Sequence, residues 1–455
     1  MINPENPIVI LVDNKRRDLP GIALIAHHIR SMGVECHLEP LESFRAALGA
    51  YRPGMIVFNH VFASQLADWT ERLADVGVLT AVLSNEGMYL RDDDLEFNSG
   101  RHHRNAHIDN FFCWNRVHRD GLRKAGVFDK AQIDIVGVPR FDYYFEPWSQ
   151  LLDKPTRREG GRPRILACTN FVLSRFWELP KEYADRFFEA WVTRMPRYVD
   201  YWGAVESHWK GQRRFLEYIK PLIESGKYDV VLRPHPSESR AVYDDWLKTL
   251  TDTERARVEY DTRSDISAQI LSCDLEISGE SCTTAVEAWI AHKPTVELVF
   301  DHHVIHHSAE RSAGNVHCDD PAKIVGIVDE QLANPSQPHL QQIRKTYLEK
   351  WCATPDGNAC RRVAEIAVAA VKAKKPADWS KLTFVDRRRA LKLRATRAIG
   401  HAYHFSPLLP LKSLLFKKKY TIRKFTYDKS IQPQDVSAAL KRIENADVGR
   451  LGRGG

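Results

Sequence analysis

One stretch near the start of the chain indicates the fold class: IVILVDNKRRDLPGIALIAHHIRSMGVECHL, residues 8–38. It opens with a continuous apolar run, Ile8–Val12, whose mostly β-branched composition is typical of a strand buried on both faces. A polar loop and a Pro-Gly pair then precede a helical apolar pattern over Ile22–Met32, which ends at Gly33. The next apolar segment, Val34–Leu38, resumes as a strand, so the stretch predicts a βαβ unit and a parallel sheet.

The same alternation of strands and helices continues and divides the chain in two. Residues 1–153 form the predicted first domain, residues 154–163 a Pro-, Gly- and Arg-rich linker, and residues 164–375 a second α/β series. Further strands are predicted at Met55–Phe58, Val78–Leu83, Phe111–Trp114, Ile133–Val136, Ile165–Cys168, Val230–Arg233, Val258–Tyr260, Leu275–Ser278 and Thr295–Leu298. The predicted fold class is therefore α/β, with two Rossmann-like domains facing a cleft and residues 376–455 as a basic amphipathic segment.

The C-terminal segment differs from the rest of the chain in charge. The protein has 455 residues and a net charge of +7, but residues 371–455 carry 21 Lys or Arg residues against six Asp or Glu residues. These cations, including Arg387–Arg389 and Lys417–Lys419, are mixed with the apolar residues Leu391, Ile399, Phe405, Leu408, Leu409, Leu411, Leu414, Leu415 and Phe416. Because many leucines and few aromatic residues accompany the cations, we expect peripheral binding to an anionic inner-membrane surface and no nucleic-acid partner.

The remaining bulk features favour the cytoplasm. The first apolar run is too short for a signal peptide, and no stretch approaches the roughly 20 apolar residues of a membrane span. The eight cysteines include no C-x-x-C pair, which predicts reduced and mostly buried thiols. We therefore expect a cytoplasmic protein that is attached peripherally to the inner membrane.

Two polar motifs of the second domain follow predicted strands, at the end where open α/β sheets bind ligands. In Arg233-Pro234-His235-Pro236, the prolines predict a stiff loop that holds the imidazole beside the guanidinium, a pairing suited to phosphate. Thr169-Asn170-Phe171 predicts a polar turn that faces the cleft. The alternative interpretations are a turn with a satisfied structural histidine and an ordinary βα loop.

A third motif combines a hydroxyl-rich turn with the start of a helix. Its candidate ligand-binding residues are Ser278, Gly279, Ser281, Thr283, Thr284 and Glu287. Ser and Thr are good N-caps, and the free amides at a helix start bind anions. We expect the hydroxyls to contact a phosphate and Glu287 to reach a ribose diol, whereas the alternative is a plain capped helix.

The first domain contributes one candidate catalytic residue. Glu86 follows a hydrophobic strand in Ser84-Asn85-Glu86-Gly87, and we expect a flexible glycine after it. A carboxylate at a strand tip is suited to act as a general base toward an acceptor hydroxyl. The alternative is a solvated loop carboxylate.

The sequence offers little support for a metal or a bound cofactor. Histidines occur in clusters at His27-His28, His102-His103, His107, His302-His303 and His306-His307. These clusters lack carboxylate or Cys ligands at zinc-site spacing, so we expect no metal site. A Gly-x-Gly-x-x-Gly or Walker motif is also absent, which disfavours a dinucleotide oxidoreductase and a P-loop ATPase.

Together, these motifs resemble those of the GT-B bacterial transferases that use CMP-sugars. That group, which includes sialyltransferases and Kdo transferases of capsule and lipopolysaccharide assembly, has an acidic-Gly motif, a His-Pro motif and a hydroxyl-rich motif. Residues 13–21 and 137–142 are also similar to the broader surface carbohydrate biosynthesis protein family. The resemblance implies an inverting glycosyltransferase with a CMP-activated donor, Kdo or another ulosonic acid, and a glycan or lipid-linked glycan acceptor.

The resemblance also implies a role for particular residues. Glu86 matches the acidic base. His235 matches the catalytic histidine that contacts the donor phosphate and is expected to act as its acid. The phosphate turn is matched by Ser281, Thr283 and Thr284. The first acidic position of the family is Asn85 here, so Glu86 must act as the base or catalysis is impaired. A departing CMP carries little charge compared with a diphosphate, and we therefore expect no metal requirement.

Three other functions remain open at this stage. A CDP-polyol phosphotransferase of the teichoic-acid type also has Arg-Pro-His-Pro, although its usual His-Gly motif is replaced here by His60-Val61. A UDP-sugar 2-epimerase shares the predicted fold but is not expected to have a basic amphipathic tail. A non-catalytic membrane-bound scaffold of a polysaccharide assembly complex is consistent with Asn85.

Overall fold

A computed structural model describes residues 3–155, 161–279, 281–300, 303–405 and 429–451. The chain forms two units. The first unit consists of Met1–Leu151 and Glu349–Gly455, and the second unit consists of Leu152–Leu348. The second unit is therefore continuous in sequence and is inserted between the two parts of the first.

Six parallel strands form the sheet of the first unit. In chain order they are β1 (Asn3–Val12), β2 (Val34–Pro40), β3 (Met55–Phe58), β4 (Leu79–Leu83), β5 (Asn110–Cys113) and β6 (Gln132–Ile135). Their spatial order is β2-β1-β3-β4-β5-β6, and each neighbouring pair is parallel. Because the strand order reverses between β1 and β3, the carboxyl end of that pair is the topological switch point, where such sheets bind ligands.

Five α-helices lie between or beside these strands: α1 (Leu19–Ser31), α2 (Phe44–Tyr51), α3 (Ser64–Val76), α4 (Asp92–Ser99) and α5 (Arg116–Lys124). The side chain of Asn115 caps α5 by accepting a hydrogen bond from the amide of His118. The run Ile8–Val12 is buried at every position, as its apolar composition predicts.

The second unit has its own parallel sheet and its own core. Its strands are β7 (Arg164–Cys168), β8 (Asp229–Arg233), β9 (Val258–Tyr260), β10 (Leu275–Gly279), β11 (Thr295–Leu298) and β12 (Val316–Cys318). Their spatial order is β12-β11-β10-β7-β8-β9, so the switch point lies between β7 and β10. The two sheets confirm the predicted α/β class with two Rossmann-like domains.

The helices that follow β7 in chain order belong to the second unit, except that the last of them, α14, continues past Leu348 into the first unit. They are α6 (Glu182–Val192), α7 (Tyr201–Glu224), α8 (Ala241–Leu247), α9 (Asp252–Arg255), α10 (Ile266–Ser272), α11 (Thr283–Ile290), α12 (Ala309–Ser312), α13 (Ile324–Ala333) and α14 (Pro338–Cys352). Short 3-10 helices occur at Leu41–Ser43, Pro139–Tyr144, Trp148–Leu151, Ser174–Phe176, Pro196–Asp200, Pro321–Lys323 and Trp379–Lys381.

Three further helices belong to the first unit: α15 (Ala359–Ala373), α16 (Phe384–Ala398) and α17 (Pro433–Leu451). The predicted second domain, 164–375, thus extends too far, because α15 is attached to the first unit. The buried carboxylate of Asp142 accepts hydrogen bonds from the amides of Ala359, at 3.0 Å, and Cys360, at 2.7 Å. These two bonds satisfy backbone amides at the start of α15 that have no acceptor within the helix, and they connect α15 to the chain after β6.

Helix α16 is also a folded part of the first unit, although its residues were predicted to belong to a membrane-associating tail. Ala390, Leu393 and Thr396 form its buried side, and this side packs against α2. A Cβ atom at Gly49 of α2 would lie 2.8 Å from the backbone oxygen of Asp386, so a glycine is required for this close approach. The predicted apolar and basic residues at 408–419 lie outside the described residues.

Two further properties of the described residues bear on the sequence predictions. None of the helices in the described ranges has both the length and the apolar composition needed to cross a bilayer.

All eight cysteines are buried and unpaired, as their spacing predicts. Burial raises the pKa of the Cys36 thiol to about 12 and that of Cys282 to about 11, so both are thiols at neutral pH.

Truncating Leu393 tests whether α16 is part of the first unit. We expect Leu393→Ala to lower the free energy of unfolding by about 2–5 kcal/mol, because the side chain is fully buried. Leu391→Ala on the same helix is the matched control, because that side chain is exposed and should change stability by no more than about 0.5 kcal/mol. Urea denaturation followed by circular dichroism measures both, and equal stabilities of the two variants would contradict the packing of α16.

Candidate active site

The predicted motifs of the second unit meet at one edge of its sheet. Thr169 directly follows β7, Arg233 ends β8 and Gly279 ends β10. These strands are neighbours in the order β10-β7-β8, so their carboxyl ends lie side by side at the switch point. All of the candidate ligand-binding residues lie on this edge or on α11, whereas Glu86 lies in the first unit.

His235 is held in one orientation by two hydrogen bonds. Its backbone amide donates to the hydroxyl oxygen of Thr169 at 3.3 Å, and its Nδ1 accepts from the amide of Ser237 at 3.1 Å. Burial, together with the charge of Arg175, lowers the pKa of His235 to about 4. The imidazole is therefore neutral at physiological pH, with its proton on Nε2, and it lacks the second ring proton that the expected role as an acid requires. Pro236 follows it at the exposed tip of the loop.

A buried carboxylate, that of Glu238, connects the loops after β7 and β8. It accepts hydrogen bonds from the hydroxyl of Thr169 (2.9 Å), the amide of Phe171 (2.8 Å), the side-chain amide of Gln212 (3.2 Å) and the hydroxyl of Tyr243. Burial raises the pKa of Glu238, and these hydrogen bonds oppose the rise. Sequence reasoning missed this residue, and the available signal was an acidic residue three positions after His235.

Arg233 is engaged within the second unit. Its guanidinium bonds to the Asp261 carboxylate, to the Ser264 hydroxyl at 3.0 Å and to the Ser264 carbonyl at 2.7 Å. Although burial alone raises the pKa of Asp261, hydrogen bonds from Ser264 and nearby amides and the charge of Arg233 lower it to about 2. Arg233 therefore anchors the loop after β9, a partner that the phosphate prediction did not include.

Arg175 is a second cation at the site, and no sequence motif marks it. It belongs to the 3-10 helix after Asn170 and lies over the ring of Phe176, 4.9 Å from the centroid. Burial lowers the pKa of this guanidinium, and its charge acts on His235. Neither a hydrogen bond nor an ion pair reaches Arg175 from the described part of the chain. A half-buried cation with this environment is suited to bind an anion.

The hydroxyl-rich turn has a different construction from the predicted one. Cys282, rather than Ser or Thr, occupies the N-cap of α11 and makes no side-chain cap hydrogen bond. Ser281 has a positive φ of 51° and is fully buried, with its hydroxyl oxygen accepting a bond from the amide of Ser308 at 3.1 Å. The hydroxyl of Ser281 is thus used for structure, while the N-cap side chain of α11 accepts no cap hydrogen bond from the first amides of the helix.

The other residues of this motif are arranged around a buried acid on β10, Glu276. Thr284 donates its hydroxyl proton to Glu276 at 2.7 Å, and Ser278 does so at 3.4 Å. Complete burial raises the pKa of Glu276 to about 8, with a further contribution from the charge of Glu297. Glu276 is therefore largely protonated at neutral pH. Thr283 is half-buried at the first position of α11, and Glu287 is buried one turn further along.

In the first unit, Glu86 is exposed and forms an ion pair. Its Oε1 lies 3.2 Å from Nη1 of Arg17. The same guanidinium contacts two more carboxylates, that of Asp18 through Nε at 2.6 Å and that of Asp13 through Nη2 at 3.5 Å. The expectation of a flexible glycine after Glu86 is wrong, because a Cβ atom at Gly87 would lie 2.8 Å from the ring of Trp114. Gly87 is needed for close packing, and this packing gives the Glu86 loop a fixed position.

A small, partly open pocket of about 40 Å³ lies at the carboxyl ends of β1, β3 and β4, next to Glu86. Its polar lining includes Arg17, Asn59, Asn85 and Arg140, and its remaining walls are largely apolar. The carboxamide of Asn59 is buried, and neither its nitrogen nor its oxygen has a hydrogen-bond partner within the described ranges. The pocket occupies the switch point of the first sheet, and it is suited to a ligand with hydroxyl groups.

The histidine clusters do not assemble a metal site in the described part of the chain. No group of three or more His, Cys, Asp or Glu side chains there has a geometry suited to a metal ion. Instead, His28 packs edge-on against the ring of Trp148, and His303 bonds to the carboxylate of Asp200 at 3.1 Å. His302 lies outside the described residues.

Comparisons with known proteins identify the fold. No family model and no curated protein sequence match the chain. Among solved structures it is similar to S. aureus MnaA with UDP, with a TM-score of 0.50 and 13% identity over 82% of this chain and 100% of that chain. It is also similar to a UDP-N-acetylglucosamine 2-epimerase (TM-score 0.50, 11% identity, 82% of this chain and 98% of that chain). The wall teichoic acid polymerase TagF has a TM-score of 0.49 and 12% identity, over 82% of this chain and 90% of that chain. The two structures with a TM-score of 0.50 therefore share the fold of this chain, with its two Rossmann-like units.

The protonation state of His235 can be measured directly. We expect the imidazole to titrate with a pKa of about 4 and to carry its proton on Nε2 when neutral. Because the folded-state pKa is lowered, His235 favours the folded state above pH ~6.5 and loses this contribution as the pH falls toward 4. NMR of the 15N-labelled imidazoles, assigned with His235→Gln, measures the pKa and the tautomer.

Two arginine substitutions, one whose charge acts on His235 and one remote from it, control this titration. Arg175→Ala should raise the pKa of His235, because it removes a positive charge that opposes protonation. Arg186→Ala, an exposed arginine on α6, should leave it unchanged. A wild-type midpoint near the ordinary value of ~6.5 would contradict the burial of the ring.

Proposed function

We propose that the chain is an inverting glycosyltransferase that uses a CMP-activated sugar, Kdo or another ulosonic acid, to assemble capsule, lipopolysaccharide or exopolysaccharide. One observation carries this proposal: three features suited to a phosphate lie near the ends of neighbouring strands of the second unit. They are the Nε2 donor of His235, the guanidinium of Arg175 and the backbone amides at the start of α11. Each is a donor or a cation, which suits the phosphate of a nucleotide donor.

These features act on the bond that breaks during transfer. As the anomeric carbon separates from the phosphate oxygen, the electron pair stays on that oxygen and the CMP phosphate gains negative charge. Arg175 and His235 stabilise this charge, and they do so strongly because burial has removed much of their water. His235 is neutral before the reaction, so it donates a hydrogen bond and need not transfer a proton. The residues described here hold the phosphate without a metal.

The first unit supplies the acceptor side of the proposal. An acceptor sugar bound in the pocket at the ends of β1 and β3 can exchange hydrogen bonds with the carboxamide of Asn59. Glu86 next to the pocket takes the proton of the attacking hydroxyl while that oxygen bonds to the anomeric carbon. Arg17 forms an ion pair with Glu86 and so orients its carboxylate.

The nucleotide and the location of the enzyme are also part of the proposal. The UDP in the structure of S. aureus MnaA, which shares the fold, supports a nucleotide as the ligand class. Cytidine as the base rests on the motif resemblance. We infer that the protein works in the cytoplasm, attached peripherally to an anionic inner-membrane surface through its basic C-terminal part, with no nucleic-acid partner.

Nucleotide-dependent stabilisation tests the donor site. We expect CMP, with or without EDTA, to raise the melting temperature of the protein, because a ligand at ~100 times its dissociation constant stabilises the native state by about 2.7 kcal/mol. His235→Ala and Arg175→Ala should each abolish most of this shift. Arg186→Ala, an exposed arginine of the same unit, should retain it. Differential scanning fluorimetry with CMP, CDP, UMP, UDP and GDP measures the effect.

Each outcome of this panel points to a different function. A shift with CDP alone would favour a CDP-polyol phosphotransferase, and a shift with UDP alone would favour a UDP-sugar enzyme such as a 2-epimerase. No shift with any nucleotide would overturn the proposed donor site and favour a non-catalytic assembly scaffold.

Removing the carboxylate of Glu86 tests the catalytic base. We expect Glu86→Gln to lower CMP release from the donor in the presence of acceptor by about 10²–10⁴-fold, because the amide cannot accept the proton. The CMP-induced melting shift should persist, because Glu86 lies in the first unit. Glu96→Gln is the matched control, since Glu96 is an ion-paired glutamate of the same unit. A Glu86→Gln variant with wild-type turnover would contradict the assignment.

A further inference from the structure

Exposed apolar side chains concentrate on one helix of the first unit. Nine large hydrophobic residues are exposed among the described residues, and four of them lie on α16 or directly after it. These are Phe384, Val385, Leu391 and Ile399, which are 78%, 40%, 69% and 62% exposed. Exposed apolar side chains that are concentrated on one helix, rather than scattered singly, indicate an interaction surface.

The helical period places these residues on one side of α16. Phe384 and Leu391 are seven residues apart and Ile399 follows after eight more, so they lie in one stripe of a helix with 3.6 residues per turn. Arg388 and Ala395 occupy the same stripe between them. We call these five residues the outer face of α16. Asp386, Ala390, Leu393 and Thr396 lie on the opposite, buried side.

The outer face is flanked by cations and contains no carboxylate. Arg387 and Arg394 lie along one flank and Lys392 along the other, and all three are exposed. The single carboxylate of α16, Asp386, is buried and accepts hydrogen bonds from the Thr383 hydroxyl at 2.8 Å and from Arg72 at 3.3 Å. It therefore does not neutralise the exposed cations.

Further positive charge lies next to this helix. Burial and the charge of Arg389 lower the pKa of Arg45 on α2, which indicates that two cations repel each other there. A cluster of like charges around an apolar stripe is unfavourable for a surface that faces only water. It is favourable where the stripe meets hydrocarbon and the cations meet phosphate groups.

We propose that the outer face of α16 docks on an anionic phospholipid surface. Phe384, Leu391 and Ile399 enter the boundary between headgroups and acyl chains, and Arg387, Arg388 and Lys392 contact the lipid phosphates. The helix lies parallel to the membrane, since the face extends over about 22 Å from Phe384 to Ile399 at 1.5 Å per residue. Because α16 is already folded against α2, docking requires little ordering of the chain.

This inference deepens the peripheral attachment included in the proposed function, by assigning it to one helix face of a folded unit. It also orients the first unit. The last turn of α16 lies at the carboxyl end of β2, where Arg397 is 2.9 Å from Glu39 and 3.2 Å from the Leu38 carbonyl. The acceptor pocket opens at the carboxyl ends of the neighbouring strands β1 and β3, so the face ends at the same edge of the sheet as the pocket.

Vesicle binding by the full chain tests the proposal. We expect the protein to sediment with vesicles in which about one third of the phosphatidylcholine is replaced by phosphatidylglycerol, and to bind pure phosphatidylcholine much more weakly. Phe384→Ser combined with Leu391→Ser should weaken binding to the anionic vesicles at least tenfold. Arg387→Gln combined with Arg388→Gln should weaken it about thirtyfold, since each cation near such a surface contributes about 1 kcal/mol.

A matched double substitution on the second unit controls for the loss of exposed apolar surface as such. Tyr183→Ser combined with Phe187→Ser removes two exposed aromatic residues from α6 and should leave vesicle binding unchanged. Wild-type vesicle binding by the Phe384/Leu391 variant would overturn the proposal, and so would an equal loss in the α6 variant. Binding to duplex DNA in place of anionic vesicles would overturn it in favour of a nucleic-acid surface.

A fluorescent label reports directly on the position of the face. All eight native cysteines are buried, so Leu391→Cys offers a single accessible thiol for an environment-sensitive fluorophore. Its emission should shift to the blue on addition of anionic vesicles, whereas a label at Ser336→Cys on the second unit should not respond. An unchanged spectrum at position 391 would also overturn the proposal.

The outcomes for the two proposals are separable. If vesicle binding depends on α16 but no nucleotide stabilises the protein, the surface assignment stands and the proposed donor site fails. If CMP stabilises every α16 variant and vesicles bind all of them equally, the donor site stands and the surface assignment fails.

Discussion

The buried carboxylate of Glu238 is the interaction on which the candidate donor site depends. A carboxylate removed from water is costly unless hydrogen bonds satisfy its oxygens, and here the donors come from the turn after β7, from α7 and from α8. The loop after β8 joins the same network through the bond between His235 and Thr169. Elements that are distant in sequence are thereby held in one arrangement, which leaves the backbone of His235 little freedom to reorganise.

Arg233 and Arg175 differ in their interaction partners, and this difference determines whether each guanidinium is available to a ligand. Arg233 has its charge matched by Asp261 and its remaining donors used by Ser264, so it stiffens the sheet edge. Arg175 is packed on an aromatic ring, is partly deprived of water and has no carboxylate partner in the described ranges. The residue that looked suited to phosphate in the sequence is a structural support, while the available cation stands in a segment with no recognisable motif.

The sheets were predictable from the sequence because parallel strands are buried on both faces and appear as continuous apolar runs, as at Ile8–Val12. The position of the motif residues at one sheet edge was predictable as well, since they directly follow the apolar runs of neighbouring strands. The hydrogen-bond partners of the side chains could not be predicted in this way. Glu238 is 69 residues from Thr169, and nothing local indicates that pairing. Helix α16 was mistaken for an appendage because its buried residues, such as Ala390 and Leu393, are few and lie among many cations.

The interrupted first unit has a consequence for the order of folding during synthesis. The second unit, Leu152–Leu348, is complete as soon as its own residues have left the ribosome. The first unit must wait for α15 and α16, which come after the whole of the second. At about 5–20 residues per second, the wait until α16 is complete lasts roughly 12–50 s. During it, the surfaces of α2 and of the chain after β6 that α15 and α16 later cover stay exposed, so the nascent chain is open to chaperones and to aggregation before the first unit can close.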